Sequence, residues 1–488
     1  MVGHVNMMDD VLISHLPASI LRSSLRTMIS QGLGAQSLFV EHVRSRLRES
    51  PPPLIPPEEL FGGDFARHSE FLTSTRCLFS SKLAFESLPY LTHFVKAVPE
   101  AQAHWMADDP LDTSLRAACG DIVQAVQALK ESHTPLTTQA VKLEYYSLGK
   151  VKIPRLVNGL WQLSSPAWGS ASLEKQNEAL SHLVRAGLVA ADMADHYGDA
   201  ELIYGAFRNG LSTDVSQQVV AATKWCVFRP LGKPVTAQLV LGAVMERYRR
   251  AGGRLELLQF HWYDYRDKDY LDILLELTNI AHSHPHIVSE IGLCNFDAKH
   301  TEEACAFLLE HTGKVGIVSN QVQFSLIDAR PAIDMANVCR KYGLKLLTYG
   351  SFCGGFLSQK WLGSPAPDIY SETTRLTPSQ RKYFDMILLW GTWEEFQRLL
   401  RTLKGIADKH LVEVSNVATR WVLDRQEVGA VIVGTRLGVS SNIESNVKVF
   451  SFALDDEDRA KLEKHDLYRR AKAVHGKIGD CGHEYQRA

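Results

Sequence analysis

The chain has 488 residues, too long for one ordinary domain of roughly 100–200 residues and long enough for a large α/β barrel with an extension. Its 45% hydrophobic and 22% charged residues are those of a soluble globular protein and exclude a fibrous or disordered chain. A formal net charge of −2 gives no electrostatic reason to expect nucleic acid or an anionic membrane as partner.

The N-terminal "MVGHVNMMDDVLISHL" carries Asp9 and Asp10 and lacks a basic stretch followed by an apolar core, so it does not read as a signal peptide. Nowhere does an apolar run reach the ~18 residues that suggest a membrane span. The eight cysteines (Cys77, Cys119, Cys226, Cys294, Cys305, Cys339, Cys353 and Cys481) are scattered without a CxxC pair, several of them in apolar segments. Reduced, buried thiols and a cytoplasmic location are the expectation.

Residues 1–142 read as a small, mainly helical accessory region. In "LPASILRSSLRTMISQ", Ile20, Leu21, Leu25, Met28 and Ile29 recur at helical spacing with arginines between them. "AQSLFVEHVRSRLRE" behaves similarly, and "PPPLIPPEELFGG" then interrupts the pattern with five prolines and two glycines. "EFLTSTRCLFSSKLAFESLPYLTHFVKAV" and "LRAACGDIVQAVQALKES" predict further amphipathic helices. The arginine-bearing faces read as solvated surface, and no cluster here carries recognisable chemistry.

From about residue 143 to 470 the pattern changes, leaving 471–488 as a C-terminal tail. Short β-rich runs stand at 155–160, 188–193, 219–224, 255–260, 287–294, 315–323, 344–350 and 430–435. Amphipathic stretches such as "EKQNEALSHLVRAG" and "TEEACAFLLEHTG" separate them, and Gly187, Gly313 and Gly343 stand where such helices need a stop. Eight apolar strands alternating with helices predict a (β/α)8 TIM barrel. A doubly wound open sheet is the alternative, but "NGLWQLSS" follows the first strand where a GxGxxG turn would be needed. Residues 351–429 must hold an insertion as well as helices.

In such a barrel the site lies at the C-terminal strand ends. Asp192 ends the second strand, Tyr197 follows it, Lys224 ends the third and His261 follows the fourth. Singly, each has a plain structural reading: a helix cap, loop packing, a solvated lysine, a structural histidine. Together they converge on one mouth with coherent chemistry. A phenol, whose usual pKa is ~10, needs a cation beside it to give up a proton, and a carboxylate holds that cation in place. Asp192, Lys224 and Tyr197 can form this relay, and His261 can donate a hydrogen bond to a substrate carbonyl. Asp195 reads as a structural bystander. Trp161, Trp225 and Trp262 each fall just beyond a strand end and are expected to wall an apolar substrate pocket. His282, His284 and His286 in "AHSHPHI" lack a nearby carboxylate or thiolate and read as solvated, so no metal is expected.

The stretch "ADMADHYGDAELIYG" resembles the signature of the aldo-keto reductase family, with an Asp and a Tyr five apart. "ATKW", "LLQFHWYDY", "IGLCNF", "NQVQFSL", "YGSFCGGFL" and "VIVGTR…NIESNVKVF" follow in that family's order, covering roughly residues 143–455. The resemblance implies a TIM barrel that binds NADP(H) across its mouth and reduces a small aldehyde or ketone, or oxidises an alcohol. Tyr197 would be the general acid, tuned by Lys224 and Asp192, with His261 orienting the carbonyl. Asn295 and Gln321 would hold the nicotinamide carboxamide, Tyr349 would stack on its ring, and Gly350, Ser351 and Phe352 belong to the loop over the pyrophosphate. Gly434, Thr435 and Arg436 would face the adenosine phosphate, and Asn446 the adenine. An arginine beside a glycine at a strand end also suits a phosphate dianion on elementary grounds. Three positions depart from the family's usual residues: Cys294 replaces a Ser, "TYGSF" replaces "AYSPL", and Ser445 replaces a Glu.

Two other functions fit a barrel with these residues. Lys224 could form a Schiff base, as in an aldolase, or the barrel could be a cofactor-binding sensor or scaffold acting through its N-terminal helices. The cofactor motifs argue against the first and the complete tetrad against the second. Specificity lies in loops, which do not name the substrate, and the residues carry no signal for an oligomeric state.

Overall fold

The apolar runs after residue 155 become strands that pair only with parallel neighbours in the barrel. They are β3 (Leu156–Gly159), β4 (Ala190–Asp192), β5 (Val220–Cys226), β6 (Leu255–His261), β7 (Val288–Cys294), β8 (Ile317–Gln323), β9 (Lys345–Tyr349) and β10 (Val428–Gly434). Strand β10 returns to pair with β3, Ile432 opposite Val157, which closes the barrel and sets the open sheet aside. The computed structural model describes residues 16–29, 33–61, 67–81, 83–101, 106, 109–132, 141–165, 169–368 and 376–486. The chain divides into two units, residues 1–139 and 140–488.

Strand periodicity sorts the barrel side chains into two sets. Ala221, Trp225, Leu258, Phe260 and Val322 point outward into the layer between strands and helices. Val157, Val220, Ala222, Leu257, Leu347 and Ala430 point inward. They pack against Leu148 and Ile153 of an antiparallel hairpin, β1 (Tyr145–Leu148) and β2 (Val151–Pro154), which leads directly into β3 and plugs the barrel floor. Further up, the inward positions turn polar, and these form the site.

The helices begin and end for local reasons. Ser172, Thr236 and Asp297 cap helices Leu173–Arg185, Ala237–Arg250 and Ala298–Thr312 by accepting from backbone N–H groups. Gly313 and Gly343 end helices at φ 71° and 74°, the left-handed cap a side chain disfavours. The insertion carries helices Pro378–Trp390, Trp393–His410 and Val414–Leu423, the first two opened by capping boxes at Thr377 and Thr392.

The residues set apart as a tail, 471–488, are packed into the barrel unit as far as they are described. Helix Leu467–Ile478 runs through residue 471, and Ala471, Val474 and Cys481 are buried. Fully buried Arg330 reaches the Gly479 and Asp480 carbonyls at 3.2 and 2.9 Å and pairs with Glu484 at 3.1 Å. At Gly482, φ is 81°, and a β-carbon would collide with the Asn295 carbonyl. Only glycine lets the segment lie this close to the barrel mouth.

In the N-terminal unit, helices span Ala18–Ile29, Leu33–Glu49, Pro57–Phe61, His68–Ser80, Ala84–Glu100 and Pro110–Ser132. The proline-rich interruption holds the short helix Pro57–Phe61 with Leu60 buried, because proline suits the first helical turn. Leu60, Phe71, Leu72, Leu91, Phe94 and Ala97 form a core of this unit's own, and Arg76 pairs with Asp121 at 2.9 Å.

Candidate active site

Parity along the strands places Asp192, Lys224, Gln259, His261 and Gln321 on the inner face at the C-terminal end of the barrel. Lys224 Nζ donates to Asp192 Oδ2 at 2.6 Å, to the Met193 carbonyl at 2.8 Å and to the Tyr197 hydroxyl at 3.4 Å. Those three bonds use every proton of the ammonium. Asp192 Oδ1 accepts from Gln259 Nε2 at 2.9 Å and Gln321 Nε2 at 2.7 Å. Lys224 and Asp192 are 2% and 3% exposed, so the pair is stabilised by full hydrogen bonding in place of water.

Electrostatics divide the roles. Burial works against the Lys224 charge, but the Asp192 carboxylate outweighs it and holds the ammonium protonated. Burial pushes the Tyr197 phenol upward; Lys224 pulls it down and Asp192 pushes it up, and the net shift is upward. The phenol thus rests as a neutral acid. Its oxygen accepts from Lys224, which leaves its own proton free to be donated. Burial lowers His261 to a pKa of about 4, so its imidazole is neutral.

His261 Nδ1 lies 3.1 Å from the Cys294 carbonyl. A carbonyl only accepts, so Nδ1 carries the ring proton and Nε2 of the neutral ring is an acceptor. Cys294, in place of the family's usual serine, is buried, and burial pushes its thiol up to about 12.

A cavity of about 1460 Å³ begins at Asp192, Tyr197, Lys224 and His261 and extends past Tyr349 to Arg436 and Asn446. It also reaches Asn295, Gln321, Gly350, Ser351, Phe352, Gly434 and Thr435. Asn295 sits at φ 59°, a left-handed conformation asparagine tolerates, and its Oδ1 accepts from the Tyr349 hydroxyl at 2.9 Å. Gly350 also has positive φ, 73°, where a β-carbon would meet Tyr383. Ser351 is fastened to the Phe324 carbonyl at 3.0 Å. At the far end Arg436 is exposed and makes no ion pair among the described residues. Asn295, Gln321, Tyr349 and Arg436 are the groups along this cavity that could hold a cofactor.

The three tryptophans separate. Trp161 is 40% exposed and lines the cavity. Trp225 and Trp262 do not line it. Lys224 points inward, so Trp225, the next residue on β5, points outward, while Trp262 lies just past the last residue of β6. Trp225 packs on Phe260 at 5.4 Å, and Trp262 is fully buried with its indole N–H on the Asp264 and Asp267 carbonyls. They build the strand–helix layer, which corrects their assignment to the pocket.

Sequence reasoning missed Phe228, Lys382 and Tyr485. Phe228, 49% exposed, packs against His261 at 5.2 Å and His196 at 5.1 Å. The Tyr485 hydroxyl lies 3.2 Å from that of Tyr349 and receives a hydrogen bond from Lys382. Asp195 is bonded to Arg247 and accepts from the Cys226 N–H at 3.0 Å, fixing the loop that carries Tyr197. The metal-like grouping of Asp195, His196 and Cys226 has its carboxylate engaged in this way.

A model described as the aldo/keto reductase family matches residues 155–467. Over 186 residues the chain is 34% identical to flagellar radial spoke protein 5 of Chlamydomonas reinhardtii, covering 35% of this chain and only 33% of that protein. It is 22% identical over 360 residues to the chloroplastic pyridoxal reductase of Arabidopsis thaliana, covering 71% of this chain and 91% of the relative. With the uncharacterized oxidoreductase YrpG of Bacillus subtilis it shares 25% identity over 331 residues, 64% of this chain and 93% of the relative. No helix among the described residues is long and apolar enough to cross a membrane.

Proposed function

Because the chain belongs to the aldo/keto reductase family, we propose that it is an NADP(H)-dependent oxidoreductase that interconverts an aldehyde or ketone with its alcohol. The observation that carries this reading is the state of Tyr197. Its oxygen accepts from a saturated ammonium at 3.4 Å, and the residue lines a large cavity that also reaches Asn295, Tyr349 and Arg436.

Reduced nicotinamide, when bound, supplies the hydride to the carbonyl carbon. Tyr197 gives its proton to the carbonyl oxygen as negative charge develops there. A forming alkoxide is far more basic than a phenolate, so even a phenol pushed up by burial delivers its proton downhill. Lys224 then faces the phenolate at a distance already set, and Asp192 keeps the ammonium charged and aimed. Oxidation of the alcohol runs through the same groups in reverse.

Purified protein should consume NADPH with members of a panel of aldehydes and ketones that includes pyridoxal, the substrate in the Arabidopsis relative's name. A second reading, a cofactor-binding scaffold acting through its N-terminal helices, draws support from the radial spoke relative. NADPH binding without oxidation across the whole panel would favour it. The preference for the phosphorylated cofactor rests on the unpaired guanidinium of Arg436. Arg436→Ala is expected to weaken NADPH by roughly ten- to a hundredfold, the ~1.5–3 kcal/mol scale of a charged hydrogen bond, and NADH much less. Titration of both cofactors by fluorescence checks this, and equal losses would remove the phosphate assignment.

A further inference from the structure

Tyr197 and Lys224 belong to different segments, a loop after β4 and the strand β5, yet their hydroxyl and ammonium stand 3.4 Å apart. That is the outer edge of hydrogen-bonding range, so a small slip of the loop would part them. Two arginines one turn apart on helix Ala237–Arg250 tie the loop to the strand. Arg247 is buried. Its Nε donates to the Lys224 carbonyl at 3.3 Å and one terminal nitrogen to the Ala243 carbonyl of its own helix at 2.7 Å. The other terminal nitrogen is bonded to the Asp195 carboxylate, two residues before Tyr197. The Asp195 N–H donates to the same Lys224 carbonyl at 3.2 Å, and its carboxylate accepts from the Cys226 N–H at 3.0 Å. One guanidinium thus joins the backbone of the cation to the loop of the acid.

Arg250 acts on the other side of Tyr197. It donates to the Gly198 carbonyl at 3.2 Å and, through Nε, to Glu201 at 2.6 Å. The second oxygen of fully buried Glu201 accepts from the hydroxyl of Thr223, the residue before Lys224, at 2.5 Å. A β-carbon on Gly205 would collide with the Arg250 carbonyl, so helix Ala200–Asn209, which follows the loop, lies directly on this corner. Neither arginine lines the cavity, so any effect on the chemistry passes through the residues they hold. We propose that Arg247 and Arg250 are positioning residues for proton transfer: they clip the Tyr197 loop to β5 from both sides and so set the distance between phenol and ammonium. This rests on the reading of Tyr197 as the proton donor of a carbonyl reductase and adds what keeps the donor in place.

The test uses the full chain with Arg247→Lys and Arg250→Lys. Each lysine keeps a cation beside the buried carboxylate, which spares the fold, but lacks the planar fork that reaches two partners at once. Either change is expected to lower kcat by roughly ten- to a hundredfold, the cost of shifting a catalytic group by about 1 Å. KM and NADPH affinity should stay near wild type. In a chain already carrying Tyr197→Phe, the same changes should cost nothing more, because the group they position is gone. A readout independent of turnover is hydrogen–deuterium exchange. Amides of residues 193–201 should exchange faster in both lysine variants while those of β7 keep their wild-type rates. Wild-type kcat in both lysine variants, losses that add to that of Tyr197→Phe, or unchanged exchange at 193–201 overturns the clip and leaves the reductase reading intact. Absence of NADPH oxidation by the wild-type protein with every aldehyde and ketone overturns both the reductase reading and the role in proton transfer.

Discussion

Tyr197→Phe is expected to lower carbonyl reduction by about 10²–10⁴-fold, the usual contribution of a positioned general acid, while NADPH binds with near-unchanged affinity. The phenyl ring keeps the packing against His196, whose ring centroid is 4.8 Å from that of Tyr197, so the loop has no reason to move. What disappears is the proton that faces the substrate. Lys224 also loses one of its three acceptors, but Asp192 and the Met193 carbonyl remain to hold it. Steady-state kinetics together with cofactor titration check the result. Reduction at a near wild-type rate in this variant would sink the assignment of Tyr197 as acid.

Lys224→Met is expected to destabilise the barrel strongly. It removes the cation facing Asp192 and leaves a 3% exposed carboxylate with only the Gln259 and Gln321 amides as donors. Breaking a buried pair from one side typically costs about 3–5 kcal/mol, a large part of a domain's net stability. Removing the second charge as well should recover much of that loss, because Asp192→Asn in the same chain leaves no isolated charge buried. Activity should not return in the double variant, since the phenolate would still lack its cation. Denaturant unfolding of the two single variants and the double variant measures the coupling. If the double variant is no more stable than Lys224→Met alone, the ion pair does not carry this energy.

Much of the barrel was legible because each strand is a short apolar run bounded by a helix with its own periodicity and stop. Hairpin β1–β2 was not. "YYSL" and "VKIP" are four-residue segments that mix exposed, half-buried and buried positions, and their role becomes visible only once the floor they plug exists. The descending segment after helix Leu467–Ile478 was missed for a related reason. It has no periodicity, and what holds it is Arg330, some 150 positions earlier. Trp225 and Trp262 differ, because their direction could have been read. Once Lys224 faces inward, strand alternation sends Trp225 outward, and Trp262 follows directly on the inward-facing His261. The tautomer of His261 lies beyond any sequence pattern, since the carbonyl that sets it belongs to the neighbouring strand's last residue.

The distribution of the thiols has a practical side. Cys77 and Cys119, both in the N-terminal unit, are exposed, whereas Cys294, Cys305, Cys339, Cys353 and Cys481 of the barrel unit are buried and Cys226 is half-buried. Burial lifts all six barrel thiols above their ordinary range, which suppresses the thiolate that attacks an alkylating reagent. A maleimide dye at neutral pH would therefore mark the helical unit and spare the catalytic one. The protein comes with two natural attachment points for a fluorophore, both on helices of the N-terminal unit.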